Sequence, residues 1–276
     1  MDRPQETSAV RWAMLEIESL RVAMGGRVLL DGIGFSLRAG ERVCVLGASG
    51  SGKSLTAAAI TGILPAGFHS EGSVRVAGHE VLRQRAPQRP KDARVALISQ
   101  DTQSALNPLV SIGAQLVEPL RRHGGLGREA ARDAALALLR SVDLPATPAF
   151  LETSPADLSG GQRQRVCIAL ALACRTGLIV ADEPTTALDL VTQAKVLRLL
   201  GERTGDQGPA LLLVTHDLSA ARMACERVLV LAEGRIVEDR PMDDLFAAPR
   251  HDFTRELVAC ALAEARPFSP ADLEAA

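Results

Sequence analysis

Aromatic residues are scarce in this sequence, which has no tyrosine, one tryptophan and six phenylalanines among 276 residues. Any aromatic surface on which a ligand could stack must therefore come from Trp12 or from a phenylalanine. Cysteine is scarce too, and its five positions form no C-x-x-C pair, which favours reduced thiols in apolar segments over disulfides or a metal site. The cysteines are Cys44, Cys167, Cys174, Cys225 and Cys260.

Long apolar runs are also missing. The longest uninterrupted run spans residues 166–174, well short of the roughly 20 residues that a membrane-spanning helix needs. Residues 1–11 are polar and lack the apolar stretch of a signal peptide, so we expect the chain to stay in the cytosol. A role at a membrane then has to come through a partner.

The chain has no excess of positive charge, because 31 lysines and arginines face 33 aspartates and glutamates, which gives a formal net charge of −2. Proteins that bind polyanions over much of their surface are basic, so wholesale binding of nucleic acid is excluded. Hydrophobic residues make up 47% of the chain, enough for the core of one large domain or two smaller lobes, which excludes disorder as the main state.

The first third of the sequence carries strand patterns. Residues 15–22 and 28–37 alternate apolar and polar positions, which predicts an antiparallel β segment. Residues 42–46 form a continuous apolar run that ends in glycines, typical of a strand covered on both faces of a mostly parallel sheet. A helix is predicted over residues 55–64, ended by Pro65.

A basic, proline-rich segment at 83–94 predicts a solvated loop, and residues 95–99 predict a short strand. From 112 to 144 the pattern is helical. Further strands are predicted at 178–181, 210–214 and 228–231, with helices at 191–203 and 218–225. Strands that alternate with helices predict right-handed crossovers and a parallel sheet. The fold class is therefore α/β, with a helical insertion between two β-rich parts.

A phosphate-binding motif, G-x-x-x-x-G-K-[ST], lies between the predicted strand at 42–46 and the helix that follows. Its residues are Gly47, Ala48, Ser49, Gly50, Ser51, Gly52, Lys53 and Ser54. The glycines let successive backbone N–H groups face a polyphosphate, and the helix N-terminus adds positive potential. The motif predicts Lys53 at the β- and γ-phosphates and Ser54 on Mg²⁺; the alternative is a glycine turn with a chance Lys-Ser pair.

Two acids end the apolar strand predicted at 178–181. We expect Asp182 to hold Mg²⁺ through water and Glu183 to orient, or take a proton from, the water that attacks the γ-phosphate. An apolar strand that ends in two acids is common in α/β proteins. Its combination with the phosphate-binding motif makes coincidence improbable.

Between these motifs lies Leu158-Ser159-Gly160-Gly161-Gln162, which resembles the signature motif of ABC ATPases. Gln100 is similar to the family's Q-loop glutamine, Ala187-Leu188-Asp189 to its D-loop and His216 to its switch histidine. The resemblance implies a P-loop NTPase of the ABC type, with a RecA-like parallel sheet core, an antiparallel β segment and a helical subdomain. The single domain, 1–276, is expected to divide into a catalytic core with β subdomain at 14–99 and 176–240, a helical subdomain at 100–175 and a C-terminal tail at 241–276.

The resemblance also implies how the motifs share ATP. Ser159, Gly160, Gly161 and Gln162 complete the site of an opposite subunit, so that two ATP molecules are held between two nucleotide-binding domains. Gln100 senses the γ-phosphate and Mg²⁺ and links the site to membrane subunits, while His216 contacts the γ-phosphate. Leu55 and Asp189 are the remaining residues expected at the nucleotide. For an isolated histidine a satisfied core or cap role is the alternative, and it is kept for the others, His69, His79, His123 and His251.

One position departs from the family. ABC ATPases usually place an aromatic residue upstream of the phosphate-binding motif to stack on adenine, and the matching position here is Met24. Stacking of a base on an aromatic ring is worth about 1–3 kcal/mol, of which a thioether recovers only part. We therefore expect weaker nucleotide affinity and poorer discrimination of ATP from GTP than in relatives with a ring at this position.

The segment 99–109 resembles the Q-loop region of peptide and nickel importers, and the segment 245–255 fits the same group except that Asp252 and Phe253 depart from its usual P-x-H-P-Y-T. Peptide importer subunits often carry a longer C-terminal extension with clustered cysteines, whereas this chain has only Cys260 there. That difference tilts the expectation modestly towards a nickel or metal-chelate importer over a di- or oligopeptide importer.

The resemblance implies several partners. They are a paralogous ATP-binding subunit or a second copy of this chain, two membrane permease subunits and an extracytoplasmic solute-binding protein, with no nucleic acid. The protein is then expected at the cytoplasmic face of the plasma (inner) membrane. The alternative is an ABC ATPase that acts on ribosomes or DNA, or a nucleotide-gated interaction module; such relatives usually carry tandem cassettes, a long coiled-coil insertion or basic arms, which this sequence does not show.

Overall fold

The computed structural model describes residues 13–186, 188–205 and 208–264. The expectations for residues 1–12, for Ala187 and for the chain after residue 264 lie outside these ranges. The strands are β1 (Ala13–Met24), β2 (Arg27–Arg38), β3 (Arg42–Leu46), β4 (Phe68–Val76), β5 (His79–Glu80), β6 (Val95–Ile98), β7 (Leu178–Asp182), β8 (Ala210–Thr215), β9 (Arg227–Ala232) and β10 (Arg235–Pro241). The helices are α1 (Lys53–Thr61), α2 (Thr102–Ala105), α3 (Ile112–Gly124), α4 (Arg128–Ser141), α5 (Pro148–Leu151), α6 (Gly160–Ala173), α7 (Leu190–Arg203), α8 (Leu218–Ala224), α9 (Met242–Ala247) and α10 (Asp252–Glu264).

The main sheet has the strand order β10-β9-β3-β8-β7-β6, in which β10 is antiparallel to β9 and the other pairs are parallel. Its central strands are buried on both faces, because alternate residues of β3 belong to different core clusters: Val43 and Val45 to one, Cys44 and Leu46 to the other. The predicted α/β fold with a parallel sheet is confirmed. Since β3 lies between β8 and β9, the loop after β3 begins at the centre of the carboxyl edge of the sheet.

A second, antiparallel sheet has the order β2-β1-β4-β5. The β1–β2 hairpin turns through Gly25 and Gly26, both with positive φ (57° and 81°), a conformation that glycine adopts without strain. Met24 thus lies at the tip of the hairpin, opposite Arg27 on β2 and opposite Phe68 on β4. The predicted antiparallel segment is confirmed, and β4 adds a strand to it that the sequence patterns do not reveal.

The helices α2 to α6 lie between β6 and β7 along the chain, as the helical periodicity of the middle segment predicts. Leu116 of α3, Leu139 of α4 and Ile168 of α6 are fully buried in one core cluster. The same cluster contains Ile98 and Ile179 of the main sheet, so the helices pack on each other and on that sheet.

Helix α1 begins and ends earlier than the sequence predicts. It runs from Lys53 to Thr61 and ends at Gly62, which adopts φ 76° and donates its N–H to the carbonyl of Ala58. This left-handed glycine is a standard C-cap, so the helix has stopped before Pro65.

The segment 83–94 is not simply a solvated loop. Most of it is exposed, but Arg89 is 3% exposed. Its guanidinium donates hydrogen bonds to the carbonyl oxygens of Ile60 (2.6 Å), Gln84 (3.2 Å) and Val81 (3.3 Å). The carbonyl of Ile60 is one of the groups that the end of α1 leaves without an intrahelical partner, so Arg89 ties this segment to the helix.

Replacing this buried cation is expected to destabilise the protein. In Arg89→Met the carbonyls of Ile60 and Gln84 lose this donor, whereas the carbonyl of Val81 keeps the N–H of Gln84, and an unsatisfied buried acceptor costs about 1–3 kcal/mol. We expect the free energy of unfolding, measured by urea titration, to fall by about 3 kcal/mol. The control is Arg85→Met in the same segment, where the side chain is exposed; an equal loss in both variants would contradict the role given to Arg89.

The described part of the chain has no helix long and apolar enough to cross a membrane. All five cysteines are free thiols, as predicted. Cys44, Cys167 and Cys225 are buried, and burial raises the pKa of each of these thiols.

Candidate active site

The loop at 47–54 connects β3 to α1, as the motif requires, and its backbone explains its glycines. Gly50 and Gly52 have φ values of 78° and 107°, in the region that favours glycine. A Cβ atom at Gly47 would lie 2.3 Å from the carbonyl oxygen of Leu231, so only glycine fits beside β9. The glycines therefore allow the loop to pass close to the sheet and then turn into the N-terminus of α1.

The side chain of Lys53 lies inside this loop and contacts its backbone. Its side chain is buried, and its Nζ atom donates hydrogen bonds to the carbonyl oxygens of Gly47 (2.8 Å) and Ala48 (3.0 Å). Burial lowers the pKa of Lys53, against the opposing influence of the carboxylates of Glu183 and Asp182. The ammonium group is thus held where the loop curls, and phosphate oxygens can replace the two carbonyls as its acceptors.

Ser54 and Asp182 meet across the site. The hydroxyl of Ser54 donates to Oδ1 of Asp182 at 3.1 Å, which links the first turn of α1 to the end of β7. The pKa of Asp182 is raised, chiefly by burial. A hydroxyl and a carboxylate are the hard oxygen ligands that Mg²⁺ prefers, and bound Mg²⁺ favours the charged carboxylate that burial disfavours. The residues present therefore fit a magnesium site.

Glu183 and His216 face each other although 33 positions separate them in sequence. Because β7 and β8 are parallel neighbours, their carboxyl ends are adjacent, and Nδ1 of His216 lies 2.8 Å from Oε1 of Glu183. Glu183 has φ 50°, a strained value for a residue other than glycine, and its N–H donates to the carbonyl of Val214. Its side chain is 12% exposed and that of His216 is 65% exposed, so the pair lies at the site's opening.

These groups surround one cavity of about 800 Å³. Its lining residues are Leu29, Gly47, Ala48, Ser49, Gly50, Gly52, Lys53, Ser54, Leu55, Phe68, Gln100, Glu183, His216, Phe253 and Leu257. The volume is within the range of small-molecule sites, and the cavity combines a glycine loop, a buried cation, the carboxylate of Glu183 and apolar walls. The structure thus brings the predicted loop residues together with Gln100, Glu183 and His216.

The role of Met24 at the adenine stays a prediction. Met24 is 47% exposed and is not among the described residues that line the cavity. Its cross-strand partner Phe68 lines the cavity, and so does Phe253 of α10. Sequence reasoning missed both rings, because Phe68 begins a mostly polar strand and Phe253 lies some two hundred positions after the glycine loop. The scarcity of aromatics was the one signal that could have narrowed the search to the six phenylalanines.

The signature segment lies apart from this cavity, among the described residues. Ser159 is the N-cap of α6, its hydroxyl accepts from the N–H of Gln162, and the Gln162 side chain accepts from the N–H of Ser159. This capping box leaves Gly160 and Gly161 at the first turn of the helix, and none of the four residues lines the cavity. A helix start with small residues can receive an anion from another chain.

Asp189 caps the helix that follows it. It is the N-cap of α7, and its carboxylate accepts from the N–H groups of Val191 and Thr192 and from the Thr192 hydroxyl. The hydrogen bond from that hydroxyl is the main reason why the pKa of Asp189 is lowered. Asp189 is not among the described lining residues. Ser51, a residue of the loop, is buried and lines an adjoining cavity instead.

Comparison with known proteins places these features in a family. Residues 30–186 match the family model described as ABC transporter. A probable peptide ABC transporter ATP-binding protein of Sinorhizobium fredii is 40% identical over 238 residues, 83% of this chain and 70% of that protein. A probable D,D-dipeptide transport ATP-binding protein of Escherichia coli is 38% identical over 256 residues, 90% of this chain and 78% of that protein. The dimeric ATP-binding cassette MJ0796 bound to ADP and Pi has a TM-score of 0.72 at 30% identity, covering 83% of this chain and 99% of that chain.

Proposed function

Because the chain belongs to the ABC transporter family, we propose that it hydrolyses ATP to drive the import of di- or oligopeptides through two membrane permease subunits. The observation that carries the ATPase role is a cavity lined by Lys53, Ser54 and the Glu183–His216 pair. Asp182 is held beside it by the hydroxyl of Ser54. The relatives named for peptides and dipeptides support a peptide as the cargo over a nickel chelate, the other class that the sequence left open.

The phosphate chain binds first to the loop. Backbone N–H groups of residues 47–54 face the β- and γ-phosphates, and the Lys53 ammonium exchanges its bonds to Gly47 and Ala48 for phosphate oxygens. Ser54, Asp182 and Gln100 would hold Mg²⁺, which when bound neutralises charge on the β- and γ-oxygens during transfer. Positioning and charge stabilisation are the main contributions to phosphoryl transfer, and this end of the cavity supplies both.

Glu183 acts on the attacking water. One of its oxygens, Oε1, is engaged by His216, so the second oxygen is left to accept a hydrogen bond from water. As the water oxygen bonds to the γ-phosphorus, its proton passes to the carboxylate and the bond to the β-phosphate oxygen breaks, releasing ADP and phosphate. His216 fixes the orientation of Glu183 and is itself exposed enough to reach the γ-phosphate.

The amides at the start of α6 have no role in the chain's own cavity. We infer that Ser159, Gly160 and Gly161 complete the site of a second ATP-binding subunit, either a paralogue or another copy of this chain. The dimeric cassette bound to ADP and Pi supports such an assembly. The protein then lies at the cytoplasmic face of the membrane, with an extracytoplasmic solute-binding protein on the opposite side.

The proposed division of the chain gives Gln100 a mechanical role. We place the catalytic core at 14–99 and 176–240, the helical subdomain at 100–175 and the tail at 241–276. Gln100 lies between β6 and α2, the first helix of the helical subdomain, and its side chain lines the cavity. A side chain that contacts the γ-phosphate from this junction can move the helices when ATP binds.

Reconstitution tests the proposed function. We expect a tagged copy of the chain to co-purify with two hydrophobic permeases. Proteoliposomes that contain this complex, with the solute-binding protein added on the face opposite the ATP-binding subunits, are expected to transport labelled dipeptide only when ATP is supplied on the face of the ATP-binding subunits. A nickel chelate supplied under the same conditions is the cargo control. Stable association with ribosomes or DNA, without permeases, would instead support the non-transport alternative.

A further inference from the structure

The nucleotide cavity has two apolar walls on opposite faces of the main sheet. Leu55 and Phe68 pack against the core cluster that contains Ile60 of α1. Phe253 and Leu257 pack against the other cluster, which contains Leu218 of α8. Each wall contributes one aromatic ring to the cavity, Phe68 on one side and Phe253 on the other, so the base of a bound nucleotide could stack on either ring.

The path of the phosphate-binding loop into α1 indicates which of the two rings lies nearer the base. A triphosphate held by Lys53, with Mg²⁺ at Ser54, extends its nucleoside end past the first turn of α1, where Leu55 follows Ser54. Helix α1 lies on the face of the sheet that carries Phe68. Phe253, by contrast, faces residues 48–50 on the other side of the loop and also lines an adjoining cavity with Glu233 and His251.

Phe68 is also held in place. It begins β4 directly opposite Met24, and such cross-strand neighbours have Cβ atoms about 4.5–5.5 Å apart on the same face of the sheet. Its backbone N–H donates to the carbonyl of Pro65 at 3.4 Å, which closes the turn before the strand. The ring is half-buried, backed by the core on one side and open to the cavity on the other.

We propose that Phe68 supplies the aromatic face on which the base of the nucleotide stacks, with the thioether of Met24 packed beside the ring. This inference rests on the proposed ATPase function and names a residue that determines its nucleotide specificity. The apolar wall formed by Leu29, Leu55 and Phe68 carries no side chain that can hydrogen-bond to exocyclic groups. The surface therefore holds any purine and discriminates ATP from GTP only weakly.

Calorimetric titrations in EDTA, which prevents turnover, test this inference with ATP, GTP and inorganic tripolyphosphate, which has no base. We expect Phe68→Leu to weaken ATP and GTP binding by about 10-fold, the loss that corresponds to one stacked base, and to leave tripolyphosphate affinity unchanged. Phe253→Leu changes the ring of the opposite wall and tests which of the two walls holds the base. Phe150→Leu, which changes a ring outside the described lining of the cavity, is the matched control and is expected to leave ATP affinity within about 2-fold of the unmodified chain. Met24→Tyr in the Phe68→Leu background places a ring at the neighbouring position and is expected to restore ATP affinity.

The outcomes separate the inference from the function on which it rests. Unchanged ATP affinity in Phe68→Leu, an equal loss of ATP and tripolyphosphate binding, or a selective loss of ATP binding in Phe253→Leu each overturns the role of Phe68 alone. If the unmodified chain binds neither ATP nor tripolyphosphate, the proposed ATPase function fails and the inference fails with it.

Discussion

Glu183→Gln reduces the rate of ATP hydrolysis by at least about 100-fold, the contribution expected of a positioned general base. The amide has the size of the carboxylate, and its oxygen can still face Nδ1 of His216, so the site keeps its shape. It cannot take the proton of the attacking water, and the γ-phosphate remains bound. The measurement is steady-state phosphate release with saturating ATP and Mg²⁺.

The same substitution is expected to trap the bound state. If hydrolysis releases the two ATP-binding subunits, a variant that binds ATP without turnover accumulates as a dimer in size-exclusion chromatography with ATP present. Glu71→Gln, which changes an exposed glutamate on β4, is the control and should behave like the unmodified chain. Turnover at the normal rate in Glu183→Gln would assign the base to another residue.

The elements that sequence patterns predict well are those whose signals are local. The strand β3, the glycine loop and the start of α1 follow one another within about a dozen residues, and each has its own pattern: an apolar run, left-handed glycines and helical periodicity. Asp182 and Glu183 follow the buried strand β7 in the same way. Here the chain order already brings the chemistry together, so the sequence alone places it.

The contact between Glu183 and His216 depends on strand order, which local patterns do not contain. A parallel sheet is predicted from alternating strands and helices, but only the order β9-β3-β8-β7 makes β7 and β8 neighbours. That adjacency puts the two side chains 2.8 Å apart. The resemblance to ABC ATPases assigns both residues to the site, whereas their hydrogen bond is visible only in the structure.

Two features whose burial the local sequence does not reveal, Phe68 and Arg89, were missed. The first half of β4 is mostly exposed and has no apolar alternation, so it gives no strand signal, and its first residue, Phe68, is not recognisable as a cavity wall. Arg89 lies in a basic, polar segment, and its burial depends on the carbonyls that α1 and the following turns happen to point at it. Phe68 pairs with Met24 on another strand, and Arg89 reaches Ile60, 29 positions away, so composition cannot reveal either contact.

Lys53→Ala is expected to weaken ATP binding by about 100-fold or more. In the structure the ammonium is buried inside the loop, where its hydrogen bonds to described residues go to the neutral carbonyls of Gly47 and Ala48, so its charge is available to phosphate oxygens. A hydrogen bond to a charged group contributes about 1.5–3 kcal/mol, and two such bonds to the β- and γ-phosphates correspond to at least a 100-fold change in affinity. Titration calorimetry with ATP measures this loss directly.

Lysine occurs elsewhere at positions 91 and 195, and Lys195→Ala provides the control for loss of a positive charge. Lys195 is 61% exposed and pairs with Asp143 at 2.7 Å, a surface contact that contributes little to stability. The control should bind ATP like the unmodified chain, because its charge lies outside the cavity. Equal losses in the two variants would show that net charge, rather than the placement of Lys53 in the loop, governs nucleotide binding. A large loss in Lys53→Ala alone locates the phosphate chain at the carboxyl end of β3, where the mechanism requires it.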